Sequence, residues 1–175
     1  MKRSVKGYSA IELACALAVG GVVLAMAMPA MARMVEQSMV VAAHNDLRGA
    51  IAYARNQAVQ LSTPVAVCAS ADQQSCGSDW RAGWIAFTDG GVAGERDGTD
   101  SVLRSWQPGD GAHLTITPIG MTRELRFSSR GAVLPSGATA GWALQPLHCE
   151  AGDTSRREIL VGPSGDVRLK RSDCT

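Results

Sequence analysis

Leu13 to Ala32 is a run of twenty residues without a charge, and no other feature restricts the fold of this chain so strongly. At about 1.5 Å per residue, a helix of that length spans roughly 30 Å, one hydrocarbon core. Gly20, Gly21 and Pro29 interrupt the run; membrane helices carry such residues more often than soluble ones. Lys2, Arg3 and Lys6 precede it, so the positive-inside tendency keeps the leader in the cytoplasm and sends the remainder outside. A secretory signal peptide would be cut behind its apolar run, at an Ala-x-Ala-like exit. Here a Gly7-Tyr8 junction stands in front of the run, and one carboxylate, Glu12, stands at its head. A carboxylate inside a membrane costs about 2.5–3.5 kcal/mol on insertion scales and usually has a partner.

After Arg33 the pattern turns amphipathic. Val40, Leu47, Ile51, Ala54, Ala58 and Leu61 recur at helical spacing, while Glu36, His44, Arg48 and Arg55 mostly fall on other faces. Thr63-Pro64 ends the helix, because the residue before proline avoids the helical region. One helix from Tyr8 to Leu61 would run roughly 80 Å, too long for a globular domain and natural for a filament subunit.

The segment Lys6-Gly7-Tyr8-Ser9-Ala10-Ile11-Glu12, with the apolar run behind it, resembles the class III leader of type IV pilins and type II secretion pseudopilins. The resemblance implies that a prepilin peptidase cuts between Gly7 and Tyr8 and methylates the new amine of Tyr8. It also implies that Glu12, fifth in the mature chain, pairs with that amine on a neighbouring subunit. Tyr8 replaces the usual Phe, and Ser9-Ala10 the common Thr-Leu. An ordinary signal anchor is the plainer alternative, and it leaves Glu12 unexplained. The expected organisation is a leader at 1–7, a transmembrane and assembly half-helix at 8–33, an amphipathic half-helix at 34–62 and a β-rich periplasmic head at 63–175.

From Pro64 onward, short strand candidates alternate with Gly, Pro, Asp and Ser clusters. The candidates are Val65–Ala69, Gly83–Thr88, Ser101–Trp106, His113–Thr117, Glu124–Ser128, Gly141–Gln145, Glu158–Val161 and Asp166–Leu169. Turns are expected at Asp89-Gly90-Gly91, Pro108-Gly109-Asp110-Gly111, Pro135-Ser136-Gly137 and Pro163-Ser164-Gly165. The fold class is α+β, one long N-terminal helix packed on an antiparallel β-sheet head. Trp80-Arg81-Ala82-Gly83-Trp84-Ile85-Ala86-Phe87-Thr88-Asp89, Arg126-Phe127-Ser128-Ser129-Arg130-Gly131 and Ile159-Leu160-Val161-Gly162-Pro163-Ser164-Gly165 look like the GspH/FimT-type (FimU-like) minor pilins. Trp84, Phe87 and Phe127 read as core side chains.

The whole chain carries +1. Without Lys2, Arg3 and Lys6, fourteen basic residues face sixteen acidic ones, a charge of −2, so charge balance alone does not call for nucleic acid. Cys15 lies inside the apolar run, and Cys68, Cys76, Cys149 and Cys174 fall in the exported part, where an oxidising compartment favours disulfides. Four cysteines allow three connectivities. Cys68–Cys76 with Cys149–Cys174 is favoured because each pair is local and brackets a loop between expected strands. Zinc is the rival use, but the chain has no CxxC, and His148-Cys149 is its single adjacent ligand pair.

Little points to catalysis. His44, His113 and His148 are scattered outside any nucleophile–base motif, and Gly162-Pro163-Ser164-Gly165 is not a G-x-S-x-G elbow. The chain therefore reads as a non-enzyme without a cofactor. Asp89, Glu95, Asp97 and Asp100 share a Gly-rich loop that calcium could use, yet the spacing fails the EF-hand pattern and Arg96 sits in its middle; a solvated turn is the simpler reading. Near the end, Arg156, Arg157, Arg168, Lys170 and Arg171 face Glu158, Asp166 and Asp173. On a strand, Arg168 and Lys170 share a face, and a basic patch of Arg168, Lys170 and Arg171 could contact DNA phosphates. Relatives that take up DNA are associated with a Gly-Arg-x-Arg motif. Gly165-Asp166-Val167-Arg168 keeps its glycine and last arginine but places Asp166 where the first arginine belongs.

The resemblance thus implies a minor pilin of a type IV pilus, acting in the tip or initiation complex and supporting assembly, twitching motility or DNA uptake. Its partners would be other minor and major pilins, the prepilin peptidase, the inner membrane and extracellular DNA. A type II secretion pseudopilin is the close alternative, and a DNA-capturing pilin the second. The expected location is the inner membrane, single-pass with a periplasmic head, and then the filament.

Overall fold

The computed structural model describes residues 9–107, 113–120 and 123–174; Gly7, Tyr8 and the turn expected at Pro108–Gly111 lie outside them. The chain divides into two compact units, Met1–Val35 and Glu36–Thr175. Helix α1 covers Ala10–Leu61, 52 residues.

In the first unit, α1 is apolar on every side between Leu13 and Ala32. Leu13, Leu17, Val23 and Met28 are all exposed, a composition that suits a membrane or a filament core rather than water. Cys15 is a free thiol here.

In the second unit, Val40, Ala43, Leu47, Ala50, Ile51, Ala54 and Ala58 of α1 are buried at intervals of three and four, so one stripe meets the core. Two expectations need correction. Leu61 is 46% exposed, not packed, because it is the last residue of α1 and the chain turns away at Ser62 (φ 53°). Glu36 and His44 are buried, although their polarity argued them onto outer faces. Position 36 is four before Val40 and position 44 four after it, so helical angle places both on the stripe.

Among the described residues two antiparallel sheets form the expected β-rich head. The five-stranded sheet runs in the order β3 (Val102–Trp106), β2 (Trp84–Thr88), β1 (Val65–Ala69), β5 (Glu124–Phe127), β6 (Val133–Leu134). The four-stranded sheet runs β4 (Leu114–Ile119), β7 (Ala140–Pro146), β8 (Arg156–Val161), β9 (Val167–Ser172). All eight expected strands form, β1 with the expected ends and the other seven with shifted ones, and among the described residues Val133–Leu134 is a ninth, too short to show a period.

Strand β1 is buried along its whole length, since its sheet is covered on both faces. Val65, Val67 and Ala69 join the main core with α1, Leu125 and Phe127. Ala66 and Cys68 join Ile85 and Phe87 on the other face, where Cys76 and Val102 pack against them. Trp84, Phe87 and Phe127 are fully buried. A 3-10 turn, Trp80–Ala82, is capped by the Asp79 carboxylate, and it sets Trp80 edge-on against Trp142 with ring centroids 4.9 Å apart. The bridges are Cys68–Cys76 and Cys149–Cys174, each with Cα atoms 5.5 Å apart.

Candidate functional site

Glu12 lies in the first turn of α1. Its carboxylate accepts the Ser9 backbone N–H at 2.9 Å, while the Ser9 hydroxyl accepts the Ile11 N–H at 3.4 Å. Glu12 thus makes one half of a capping box, while Ser9 caps the amide of Ile11 rather than that of Glu12; both bonds satisfy donors that a helix start leaves free. The Ser9-x-x-Glu12 spacing was in the sequence, and attention to the charge alone passes over it. Gly7 and Tyr8, the expected processing residues, lie outside the described residues.

The cationic residues of β9 do not gather on one surface. Arg168 and Lys170 share the outer face with Ser172, opposite Leu160, Glu158 and Arg156, whereas Arg171 lies on the other face, opposite Arg157. Arg168 Nε contacts Asp166 at 3.1 Å. The Ser164 hydroxyl donates to Asp166 as well; that bond and Arg168 hold the Asp166 carboxyl below the usual range. Lys170 sits opposite Glu158, which already holds Arg156 at 3.2 Å and the Ser172 hydroxyl at 2.9 Å. Asp153 O accepts the Cys174 amide at 2.8 Å, so the end of the tail is tied down by more than its disulfide.

The acidic loop is organised from within. Asp89 accepts the Gly94 amide at 2.7 Å and pairs with Arg126. Asp100 accepts the amides of Gly90 and Asp97, and Asp97 those of Val92 and Thr99. The Thr99 hydroxyl and these amides bring the Asp97 pKa down to about 2. Asp89 and Asp100 are buried, which departs from the solvated turn expected there.

The two glycine-bearing segments of the head meet at a seam between the sheets. Val133 N donates to Pro163 O at 2.9 Å, joining the start of β6 to the β8–β9 turn. Arg55 of α1 reaches the same place, with Nε donating to Gly131 O at 3.0 Å and Nη2 to Ser164 O at 3.1 Å. Gly131 and Gly165 have φ of 78° and 80°, a region that disfavours side chains. A Cβ on Gly165 would stand 2.4 Å from Gly131 O and 2.8 Å from Arg55 Nε.

Residues 43–165 match the family model described as Type II transport protein GspH. The chain belongs to the GspH family. That places it in the type IV pilin superfamily. Among solved structures it is similar to the type IV minor pilin FimU of Pseudomonas aeruginosa, at 22% identity and a TM-score of 0.58, over 78% of this chain and 92% of that one. A second crystal form of FimU gives 22% identity and 0.53, over 73% and 90%. The minor pseudopilin EpsH of the Vibrio cholerae type 2 secretion system gives 12% identity and 0.45, over 75% and 94%. At 22% identity the likeness to FimU speaks to fold alone. Comparison with curated protein sequences gave no match.

The GspH match begins on the outer half of α1 and stops at Gly165. It therefore contains the whole Arg55 seam and leaves out both Glu12 and the β9 cations. Two contacts of this GspH-family head escaped sequence reasoning. Glu36 Oε1 lies 2.9 Å from His148 Nδ1, with the Glu36 side chain 11% exposed and His148 75%. His44 is buried near Arg157 and Arg48; burial first, and those charges after it, lower its pKa despite a hydrogen bond to Asn45. Separations such as the 112 residues between Glu36 and His148 leave no local trace.

Proposed function

We propose that this chain is a minor pilin of a type IV pilus, a structural subunit of the tip or initiation complex that supports filament assembly. One observation carries the reading: a single carboxylate, Glu12, heads a twenty-residue uncharged run that continues as one helix toward a GspH-family head. A membrane anchor has no use for that charge, whereas a subunit that registers against a neighbour does. In this reading a prepilin peptidase cuts between Gly7 and Tyr8 and methylates Tyr8. Glu12 then pairs with the Tyr8 amine of the next subunit as the helix leaves the inner membrane for the filament. The role is one of binding to other minor and major pilins, without catalysis or cofactor.

The test is to express the full chain in a piliated cell and shear off the filaments for mass spectrometry. Recovery of a peptide beginning at methylated Tyr8 in the filament fraction supports the proposal. Retention of the intact leader in the membrane fraction overturns it.

Membership of a family described by type II transport favours a second reading, a pseudopilin of that secretion system. Deleting the gene would then abolish export of secreted enzymes and leave surface pili intact. DNA capture through Arg168, Lys170 and Arg171 is a third reading, weakened by Asp166 at 3.1 Å from Arg168. Its test is a mobility shift with the full chain in neutral detergent across a salt series. Binding that falls steeply with salt and vanishes in the Arg168/Lys170/Arg171 triple alanine variant would establish it.

A further inference from the structure

Strands β8 and β9 set Arg157 directly opposite Arg171 on the face turned away from Arg168 and Lys170. Like charges opposed across an antiparallel pair destabilise it. Among the described residues neither guanidinium makes an ion pair, because the nearby carboxylates are engaged elsewhere. Glu158 holds Arg156, Asp166 holds Arg168, and Glu36 faces His148. Arg157 is half-buried, and burial together with Arg171 pushes its pKa below the ordinary arginine value. The two side chains border a polar basin of about 190 Å³ whose other walls are Gln37, Asp153, Thr154 and Ser155, space for about six waters at ~30 Å³ each. Gln37 Nε2 donates to Ser155 Oγ at 3.1 Å and keeps a second hydrogen. Asp153 Oδ1 accepts the Ser155 hydroxyl at 2.7 Å, so two cations face one carboxylate that already has a donor.

We propose that this basin binds a single oxyanion group, a phosphate or a carboxylate, clamped between the guanidinia of Arg157 and Arg171. A planar guanidinium presents paired N–H donors that match two oxygens of either group. Such a ligand would remove the repulsion that the register imposes. A free phosphate and an acidic side chain of a docked chain offer the same oxygens, so the chemistry is shared and the source is separable by experiment.

Full-length protein in a neutral detergent is titrated calorimetrically with inorganic phosphate and, separately, with glutamate, at constant ionic strength set by chloride. Saturable binding of either anion is expected. Affinity should fall about tenfold or more in Arg157→Gln and Arg171→Gln, and stay unchanged in Arg168→Gln on the opposite face of β9. Tighter phosphate binding assigns the site to phosphate, and tighter glutamate binding to a carboxylate side chain. In chloride alone, Arg171→Gln should melt at or above the wild-type temperature, since it relieves repulsion; a purely structural Arg171 would do the reverse. Binding no better than chloride, or equal affinity in Arg171→Gln, overturns the proposal. Arg171 is exposed, so its variant carries the test even where Arg157→Gln fails to fold.

Discussion

Arg55 on α1 donates through Nε to the carbonyl of Gly131 at 3.0 Å, across 76 residues of sequence. With the second bond to Ser164 O at 3.1 Å, one helical side chain holds the two glycine turns at which the sheets meet. Gly165→Ala should therefore cost more than about 2 kcal/mol, from left-handed backbone strain plus the clash with Gly131 O. Arg55→Met, which keeps the stem and loses both bonds, should cost about 1–3 kcal/mol. Thermal unfolding of the full chain in detergent checks both; wild-type melting of Gly165→Ala would refute the seam as drawn.

The two disulfides close loops of different size, with sequence separations of 8 and 25. On chain-entropy grounds, Cys68–Cys76 contributes about 2.5 kcal/mol and Cys149–Cys174 about 3.5 kcal/mol. Replacing Cys149 and Cys174 by Ser should lower the melting temperature more than replacing Cys68 and Cys76. Cys68 is also buried between β2 and β5, so a polar Ser there adds a desolvation cost. A result in which Cys68/Cys76 loss dominates would mean that burial outweighs loop closure.

Buried His44 sets a pH dependence. Its folded pKa lies below 6.5, so near and just below that pH the unfolded chain binds more protons than the folded one. Stability therefore rises with pH through the window up to about 6.5 and falls on acidification below it. His44→Gln should flatten that part of the profile. Denaturant titrations between about pH 5 and 7.5 give the slope, and an unchanged slope in the variant would assign it to another group.

Glu12 can be dissected because it has two possible uses. Glu12→Ala loses both the charge and the cap on the Ser9 amide, while Glu12→Gln keeps a capping acceptor and loses the charge. On the pairing role proposed above, both variants insert and are processed, and both are missing from sheared filaments. Normal incorporation of Glu12→Gln would mean that the cap, not the charge, is what assembly requires.

The parts of this fold written in local periodicity were legible. The uncharged run, the stripe from Val40 to Ala58 and the eight strand segments each declare themselves within about twenty consecutive residues. The local disulfides followed from spacing. Tertiary facts were harder. Glu36 and His44 looked like surface residues because polarity was weighed before helical angle. Proximity in sequence groups Arg171 with Arg168 and Lys170, but an odd offset along a strand puts it on the other face. Its encounter with Arg157 depends on the β8–β9 register, and the Arg55 clasp depends on two turns that only the folded sheets bring together.

Among the described residues, strand β9 ends its sheet with one side unpartnered. An open edge is a template on which a second chain can add a strand. Arg168, Lys170 and Arg171 line this edge on both faces, so two copies meeting edge to edge would bring cation against cation. The same side chains that suggest an anion partner therefore also discourage runaway sheet growth. Two heads so protected can lie side by side without their sheets fusing.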